Sequence, residues 1–242
     1  MTAANHVIQS LWIGKELGPI QQMCIKSFLK QGHEFHLYTY DDVKNIPAGT
    51  VLKNAHVIAP YDRVKEFYGP AQFYDYFAYL LLYKLGGWSV GMDIICLQPF
   101  DHLAEYVFPT DDSEEYYITN AVMKVPAGSA IMFSAYLAVT GIDTAATRWD
   151  ATGPVLLHRL VLEHDLKRFV VPGRDFDAVS WSKLSDGTIL KPDVEVDLSN
   201  SYAIHFRGSM WDGGPNSVEG LSTTVHHDPK CLWERLRAEY EV

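Results

Sequence analysis

Apolar residues in the first part of the chain follow two alternating spacings, one typical of buried strands and one typical of helices. Residues 6–13 and 33–40 are predicted to be strands, and residues 20–30 carry apolar side chains at helical spacing. Because proline is tolerated in the first turn of a helix, Pro19 predicts where this helix begins, and Gly32 favours its end.

The pattern continues to residue 97 with two more strand and helix signals. The pair Asp41 and Asp42 predicts a cap for a short helix, and residues 55–59 are a candidate third strand. A longer helix is expected over 74–85 and an extended segment over 88–97. Alternating strands and helices are typical of a mostly parallel sheet covered on both faces, so we expect an α/β fold.

The second half of the chain is less regular. Its predicted elements are a strand at 116–120, helices at 130–139 and 155–166, extended segments at 169–171 and 202–206, and a final helix at 230–241 opened by Asp228 and Pro229. Residues 173–200 are polar and rich in loop-forming residues. We expect a single domain over 1–242, with its ligand beyond the carboxyl ends of the strands.

Charge and hydrophobicity narrow the possible partners. The 242 residues are 48% hydrophobic and carry a formal net charge of -10, so the chain can bury a sizeable core but is a poor general binder of nucleic-acid phosphates. An anionic ligand bridged by a divalent cation stays possible, because the cation reverses the local charge.

The chain shows no targeting or membrane signal. The first ten residues lack an apolar signal-peptide core, and the longest apolar run, around 77–83, is shorter than the about 20 residues of a membrane span. Three distant cysteines in apolar surroundings favour buried thiols over a disulfide or a metal site. We expect a cytoplasmic protein of unknown oligomeric state.

The most informative stretch is FYDYFAYLLLYKLGGWSVGMDIICLQPF, at residues 73–100. An apolar helix carrying Asp75 on one face runs into two glycines, and a strand follows with Asp93 near its end. Alternation along that strand places Ser89, Gly91 and Asp93 on one side. An antiparallel return is expected to bring Asp75 beside Asp93; an acidic strand end with no role is the alternative.

This stretch resembles the sugar-binding region of glycosyltransferases with a DXD motif, of the family 32 type, distant relatives of the glucosylating toxins. Their pattern is roughly SD-x-x-RY-x-x-L-x-x-x-GG-x-Y-x-D-x-D. The positions that fall in register are Tyr74, Asp75, Ala78, Tyr79, Leu82, Gly86, Gly87, Ser89, Gly91 and Asp93. The opening SLWIG and the later GHEFHLYTY also resemble bacterial members, and the likeness covers most of the chain, weakening after Gly173.

The resemblance implies a GT-A fold, with residues 1–100 as the nucleotide-sugar-binding half and residues 101–242 as the acceptor-side half. Asp93 would hold Mn²⁺ or Mg²⁺ with help from His205, Asp75 would contact the donor, and Trp12 would contact the base. His205 belongs to NSYAIHFRGSMW, which is similar to the family's AIHxWxxxW segment.

Further donor contacts follow from the same resemblance, each with a plain alternative. Asn120 would face the donor sugar, Arg207 would supply a positive charge or lie solvated, and Trp211 would belong to a lid or to a surface turn. His205 has a packed histidine as its alternative. The element from Trp149 to Pro154 matches WxxTGP at the acceptor side, where Thr152 is otherwise a helix cap.

The chain departs from the family pattern at four positions. Ala78 stands for the arginine, Gly91 for the first DXD aspartate, Ser89 for an aromatic residue and Tyr74 for a serine. These changes predict either a pocket widened for another ligand or a site that has lost glycosyl transfer. The sequence therefore agrees with two functions. The first is retaining transfer from a nucleotide-sugar to a polysaccharide or secondary-metabolite acceptor; the second is another reaction on a natural product, or ligand binding alone.

Overall fold

The protein is described as a computed structural model covering residues 3–67, 69–101, 104–111, 117–142, 148, 150–214 and 216–242. Its strands are β1 (Val7–Trp12), β2 (Glu34–Thr39), β3 (Val51–Asn54), β4 (Gly87–Val90), β5 (Ile94–Cys96), β6 (Phe108–Pro109), β7 (Val122–Val125), β8 (Val170–Val171) and β9 (Ala203–His205). Its α-helices are α1 (Ala3–His6), α2 (Pro19–Lys30), α3 (Pro70–Leu85), α4 (Ala130–Thr140), α5 (Pro154–Glu163), α6 (Trp181–Ser185) and α7 (Leu232–Tyr240).

The central sheet has the order β3-β2-β1-β4-β7, in which only β7 runs antiparallel to its neighbour. One face packs against α2, α7 and the small β5–β9 sheet, and the other packs against α3, α4 and α5. The expected α/β class, a mostly parallel sheet with helices on both faces, is therefore confirmed, and the arrangement is consistent with the GT-A fold.

Gly86, the first of the two glycines after α3, lies where the backbone leaves no room for a side chain. Gly86 has a φ of 65°, and a Cβ there would lie 2.3 Å from the backbone nitrogen of Ala127. A side chain at this position is excluded both by the left-handed conformation and by the close approach of the loop after β7. The sharp turn sends the chain directly into β4, which lies between β1 and β7 in the sheet.

Several element predictions were wrong in detail. The extended segment 88–97 is broken by a turn at 91–93, and the third strand lies at Val51–Asn54, before a 3₁₀ turn at Ala55–Val57. No helix follows the pair at 41–42. Residues 117–120 make a single bridge through Ile118, and Tyr116 lies outside the described residues. The last helix begins at Leu232, because Cys231 takes the N-cap position.

The cysteine and membrane expectations can also be compared with the structure. Cys24, Cys96 and Cys231 are all free and buried. Among the described residues, no helix has the length and apolar character needed to cross a bilayer. The cytoplasmic location and the two-half domain division stay predictions.

Candidate active site

The turn between β4 and β5 places Asp93 just beyond the carboxyl end of β4, an interior strand of the sheet. Gly91 donates its N–H to the carbonyl of Ala121 at 2.7 Å, and Ile94 donates back to Gly91 at 3.3 Å. The carbonyl of Asp93 accepts the N–H of Phe206 at 2.9 Å, which ties the turn to the chain leaving β9. Asp93 thus sits where the sheet ends.

The carboxylate of Asp93 is held ionised by its neighbours. Its Oδ2 accepts the Gly208 N–H at 2.8 Å and lies 3.5 Å from Nε2 of His205. Burial opposes ionisation, but the attraction of His205, its hydrogen bond and the Gly208 N–H outweigh burial and lower the pKa of Asp93 to about 2. Asp93 therefore carries a full negative charge at neutral pH, with its side chain 23% exposed.

The absence of a side chain at Gly91 is coupled to the position of the Asp93 carboxylate. A Cβ on Gly91 would lie only 2.6 Å from Oδ1 of Asp93. The carboxylate therefore occupies the space that a side chain at position 91 needs. The expectation that Ser89, Gly91 and Asp93 share one side of a continuous strand fails, because the strand ends at Val90.

Arg207 lies beside the Asp93 turn but is occupied by other partners. Its guanidinium forms an ion pair with Oδ2 of Asp177 at 2.5 Å and donates to the carbonyls of Val179 and His205 at 3.2 Å. The side chain is buried, so the solvated alternative was wrong. Burial raises the pKa of Asp177, and the charge of Arg207 opposes that rise. Arg207 holds the end of β9 in place.

Asp75 occupies the first turns of α3 and is buried. Its Oδ1 accepts from Nδ2 of Asn120, and its Oδ2 accepts from Oγ1 of Thr152 at 2.7 Å. Burial raises the pKa of Asp75 to about 7, although both hydrogen bonds pull it back down. Asn120, predicted to face the donor, thus also orients a carboxylate.

Tyr74 lies near the carboxylates of both Asp75 and Asp93. These two carboxylates share no hydrogen-bond partner among those described above. Its hydroxyl donates to the carbonyl of Val90 at 2.7 Å, at the end of β4. Burial raises the pKa of Tyr74, and the charges of Asp93 and Asp75 raise it further, while hydrogen bonds with Ser89 and Ser10 lower it. The phenol therefore lies within the electrostatic influence of both carboxylates while its hydroxyl is bound to the end of β4.

The remaining residues predicted to contact the donor are Trp12, Ala78, Ser89 and Trp211. Trp12 is half-buried at the end of β1, and among the described residues its Nε1 has no hydrogen-bond partner. Ala78 and Ser89 are each 1% exposed. The prediction for Trp211 was wrong: its indole packs 4.4 Å from the ring of Trp233 and donates to the carbonyl of Phe206 at 2.8 Å, inside the core.

Two of the clefts formed by the described residues are lined by different sets of residues. The cleft nearest the candidate site is lined by Asp111, Asp177, His205 and Arg207 and has a volume of about 10 Å³, room for about one water molecule. The larger cavity, about 870 Å³, begins at the amino ends of β1 and β4 and extends along β2 to Asn54, the last residue of β3. A ligand as large as a nucleotide-sugar therefore requires the first cleft to open.

The protein atoms near Asp93 are too few to hold a metal ion alone, so an ion there needs further ligand atoms from a bound molecule. The described residues contain no group of three or more histidine, cysteine or acidic side chains able to hold an ion. Asp93 and His205 supply two donors. Mg²⁺ is commonly bound by one or two carboxylates together with substrate phosphates and water, so the pair fits an ion that arrives with a diphosphate.

Some residues of the site were not identified from the sequence. Asp177 carries no local motif, and only the fold brings it to Arg207. Gly208 acts through its backbone N–H, which leaves no trace in a sequence pattern. Thr152 binds Asp75, while Gly153 takes the N-cap position of α5, so the helix-cap alternative for Thr152 was wrong. Trp149 lies outside the described residues.

Comparison with known proteins gives likeness of fold only. No family model matches the chain, and no curated protein matches it by sequence. Among solved structures, the PaToxG glycosyltransferase is 13% identical with a TM-score of 0.47 over 66% of this chain and 68% of its own. Two structures of the glycosyltransferase GlyE from Streptococcus pneumoniae, one of them the apo form, are 12% and 9% identical, with TM-scores of 0.47 and 0.44.

Each GlyE match covers 84% of this chain and 54% of the GlyE chain, so this chain spans about half the length of GlyE. Likeness at these identities describes the backbone and not the substrate.

Proposed function

We propose that this chain is a glycosyltransferase that moves a sugar from a nucleotide-sugar donor to a polysaccharide or secondary-metabolite acceptor, with retention of the anomeric configuration. The observation that supports it most is the ionised Asp93 at the carboxyl end of β4, with Nε2 of His205 3.5 Å away. Ligands of open α/β sheets bind at this edge. The resemblance of residues 73–100 to a sugar-binding region points to the same place.

Each residue has a separate task under this proposal. Asp93 and His205 would hold Mn²⁺ or Mg²⁺, which when bound neutralises charge on the departing diphosphate. Asp75 would accept hydrogen bonds from the donor sugar, since an ionised carboxylate has about four acceptor sites and Asn120 and Thr152 use two. Trp12, with its unpartnered Nε1, would contact the base.

Calorimetric titration tests the proposal directly. Wild type is titrated with UDP-sugars and GDP-sugars, with and without Mn²⁺, and compared with Asp93→Asn and with the control Asp186→Asn, an exposed aspartate that bonds locally to Thr188. We expect metal-dependent binding in wild type and in the control, and a loss of about tenfold or more in Asp93→Asn, or at least about 1.4 kcal/mol. Absence of binding for every common donor contradicts the proposal.

One observation favours a second function, in which the fold is retained and glycosyl transfer is lost. Ala78 stands where the resembled family has an arginine, and its methyl side chain is buried and carries no charge. The nearby Arg207 is paired with Asp177, so it does not supply the missing positive charge. Loss of such a partner typically costs about a hundredfold in rate. Donor binding without transfer or hydrolysis of the sugar supports this function. If wild type is inactive, donor hydrolysis gained by Gly91→Asp with Ala78→Arg would identify a site that had decayed or been repurposed.

A further inference from the structure

We infer that Thr152 and Gly153, at the start of α5, are positioning residues that hold the carboxylate of Asp75 in its donor-facing orientation. The inference rests on the proposed function for the ligand that Asp75 meets, but the contacts between these residues do not depend on it. Thr152 and Gly153 do not themselves touch the reacting atoms under this proposal, and they act through Asp75.

The first contact is a hydrogen bond from a fully buried hydroxyl. Thr152 is 0% exposed, and its Oγ1 donates to Oδ2 of Asp75 at 2.7 Å. The bond joins the start of α5 to the first turns of α3. The other carboxylate oxygen accepts from Asn120, in the segment before β7. Two donors from separate elements therefore fix the orientation of the carboxylate, and we call this pair of hydrogen bonds the clamp.

The second contact fixes the backbone that carries Thr152. The hydroxyl of Tyr79 donates to the carbonyl of Thr152 at 2.9 Å, and it lies 3.4 Å from the carbonyl of Gly153. Tyr79 is four residues after Asp75, so both side chains project from the same face of α3. The tyrosine thereby sets the position of residue 152 relative to the carboxylate that this residue binds.

Gly153 contributes by its lack of a side chain. A Cβ on Gly153 would lie 3.0 Å from Oδ1 of Asn120 and 3.1 Å from Oδ2 of Asp75. Such a contact is tighter than ordinary van der Waals packing, so a methyl group there forces Asn120 or Asp75 to shift by a few tenths of an ångström. The pairing of threonine with glycine at 152 and 153 therefore leaves room for the clamp.

The clamp also affects the charge of the carboxylate. Burial raises the pKa of Asp75 to about 7, and the bonds from Thr152 and Asn120 counteract that rise. The other titratable groups near Asp75 are Tyr74 and Tyr79, which stay neutral because burial raises their pKa values as well. Without the threonine hydroxyl, a larger fraction of Asp75 is protonated at neutral pH and accepts fewer hydrogen bonds from a sugar.

The test compares Thr152→Val, which removes the hydroxyl at nearly constant volume, with Thr152→Ser, which retains it. Thr140→Val is the matched control, because the Thr140 hydroxyl bonds only to carbonyls of its own helix, α4. Two properties are measured on folded protein: the pKa of Asp75 by carboxyl ¹³C NMR, and the affinity for the donor bound by wild type, from pH 6 to pH 9.

We expect Thr152→Val to raise the pKa of Asp75 and to weaken donor binding about tenfold near pH 7, since hydrogen bonds to charged groups are worth about 1.5–3 kcal/mol. The loss shrinks as the pH rises, Thr152→Ser recovers most of it, and Thr140→Val matches wild type. An unchanged pKa in Thr152→Val overturns the inference. So does a raised pKa with donor affinity unchanged at every pH.

The NMR arm also separates the inference from the proposed function. If wild type binds no donor, the proposed function fails, while the pKa of Asp75 in Thr152→Val still decides whether Thr152 orients the carboxylate. Gly153→Ala provides a second variant: it retains the hydroxyl but crowds Asn120 and Asp75. We expect it to weaken donor binding with little change in melting temperature, and a donor affinity equal to that of wild type contradicts the role of Gly153.

Discussion

Asp75 is buried and Asp93 is partly buried, and their pKa values move in opposite directions. Asp93 has an imidazole and a backbone N–H as partners, and its pKa falls to about 2. Asp75 has only neutral donors, which do not overcome burial, and its pKa rises to about 7. The sequence identified both residues but not their charge states, because the partners lie at positions 120, 152, 205 and 208.

Asp75→Asn is expected to stabilise the protein at high pH. The pKa of Asp75 is about 7 in the folded state and 3.8 ordinarily. The stability that its protonated form contributes is complete below pH 3.8 and is lost as the pH rises through 7. Since one pKa unit corresponds to about 1.4 kcal/mol, we expect a gain of up to about 4 kcal/mol at pH 8 and almost none near pH 4. Urea unfolding at both pH values measures it.

Asp93→Asn gives the opposite pH dependence and serves as the comparison. Its folded pKa is lowered from 3.8 to about 2, so its contribution is present above pH 3.8 and disappears as the pH falls through 2. We expect a loss of about 2 kcal/mol at pH 7. Equal effects of the two substitutions at pH 8 contradict the assigned charge states.

Gly91→Asp is expected to disturb the site rather than restore a DXD pair. Its Cβ would meet Oδ1 of Asp93 at 2.6 Å, so Asp93 has to leave the Gly208 N–H. We expect a loss of about 1–3 kcal/mol in unfolding free energy. The pKa of Asp93 should rise further than in Gly91→Ala, which crowds the site without adding charge. A variant as stable as wild type, with stronger Mn²⁺ binding, contradicts this expectation.

At the scale of elements, helices with a long periodic pattern were predicted well and short strands were not. The spacing of apolar residues identified α2, α4 and α5 within a few residues. The segment 88–97 has the alternation of one strand, but Gly91 and Ile94 close a turn inside it. After that turn β5 pairs with β9, more than a hundred residues further along the chain. A local pattern contains no information about so distant a partner.

The contact between α2 and α7 supplies an element-level prediction. Nζ of Lys26 donates to the carbonyls of Tyr240 and Glu241 at 2.8 and 3.1 Å, two carbonyls at the end of α7 that have no partner within the helix itself. We expect Lys26→Met to lower the unfolding free energy by about 1 kcal/mol. Chemical denaturation measures the change.

Lys30→Met is the control for this prediction. Lys30 pairs with Glu239 on the surface, where both side chains are about half exposed, and such pairs contribute at most about 1 kcal/mol and often less. The capping role of Lys26 is contradicted if Lys30→Met is the more harmful of the two substitutions.

For the whole molecule, fold class was predictable because many residues contribute to one pattern, whereas the site depends on a few contacts between distant segments. The resemblance over residues 73–100 located Asp75 and Asp93. It did not reveal that Thr152 binds Asp75, that Asp177 neutralises Arg207, or that Trp211 lies in the core. The first contact joins the two halves of the chain, and the other two join segments of the second half that are more than twenty residues apart in sequence.

The most direct test of the proposed site is a crystal structure of wild type soaked with UDP and Mn²⁺, with the manganese located by its anomalous signal. We expect the ion at Asp93 and His205, with the diphosphate beside it and the nearby cleft widened. The proposal is contradicted if the ion binds away from Asp93, or if UDP instead occupies the cavity of about 870 Å³ that is lined by Val7, His36 and Asn54.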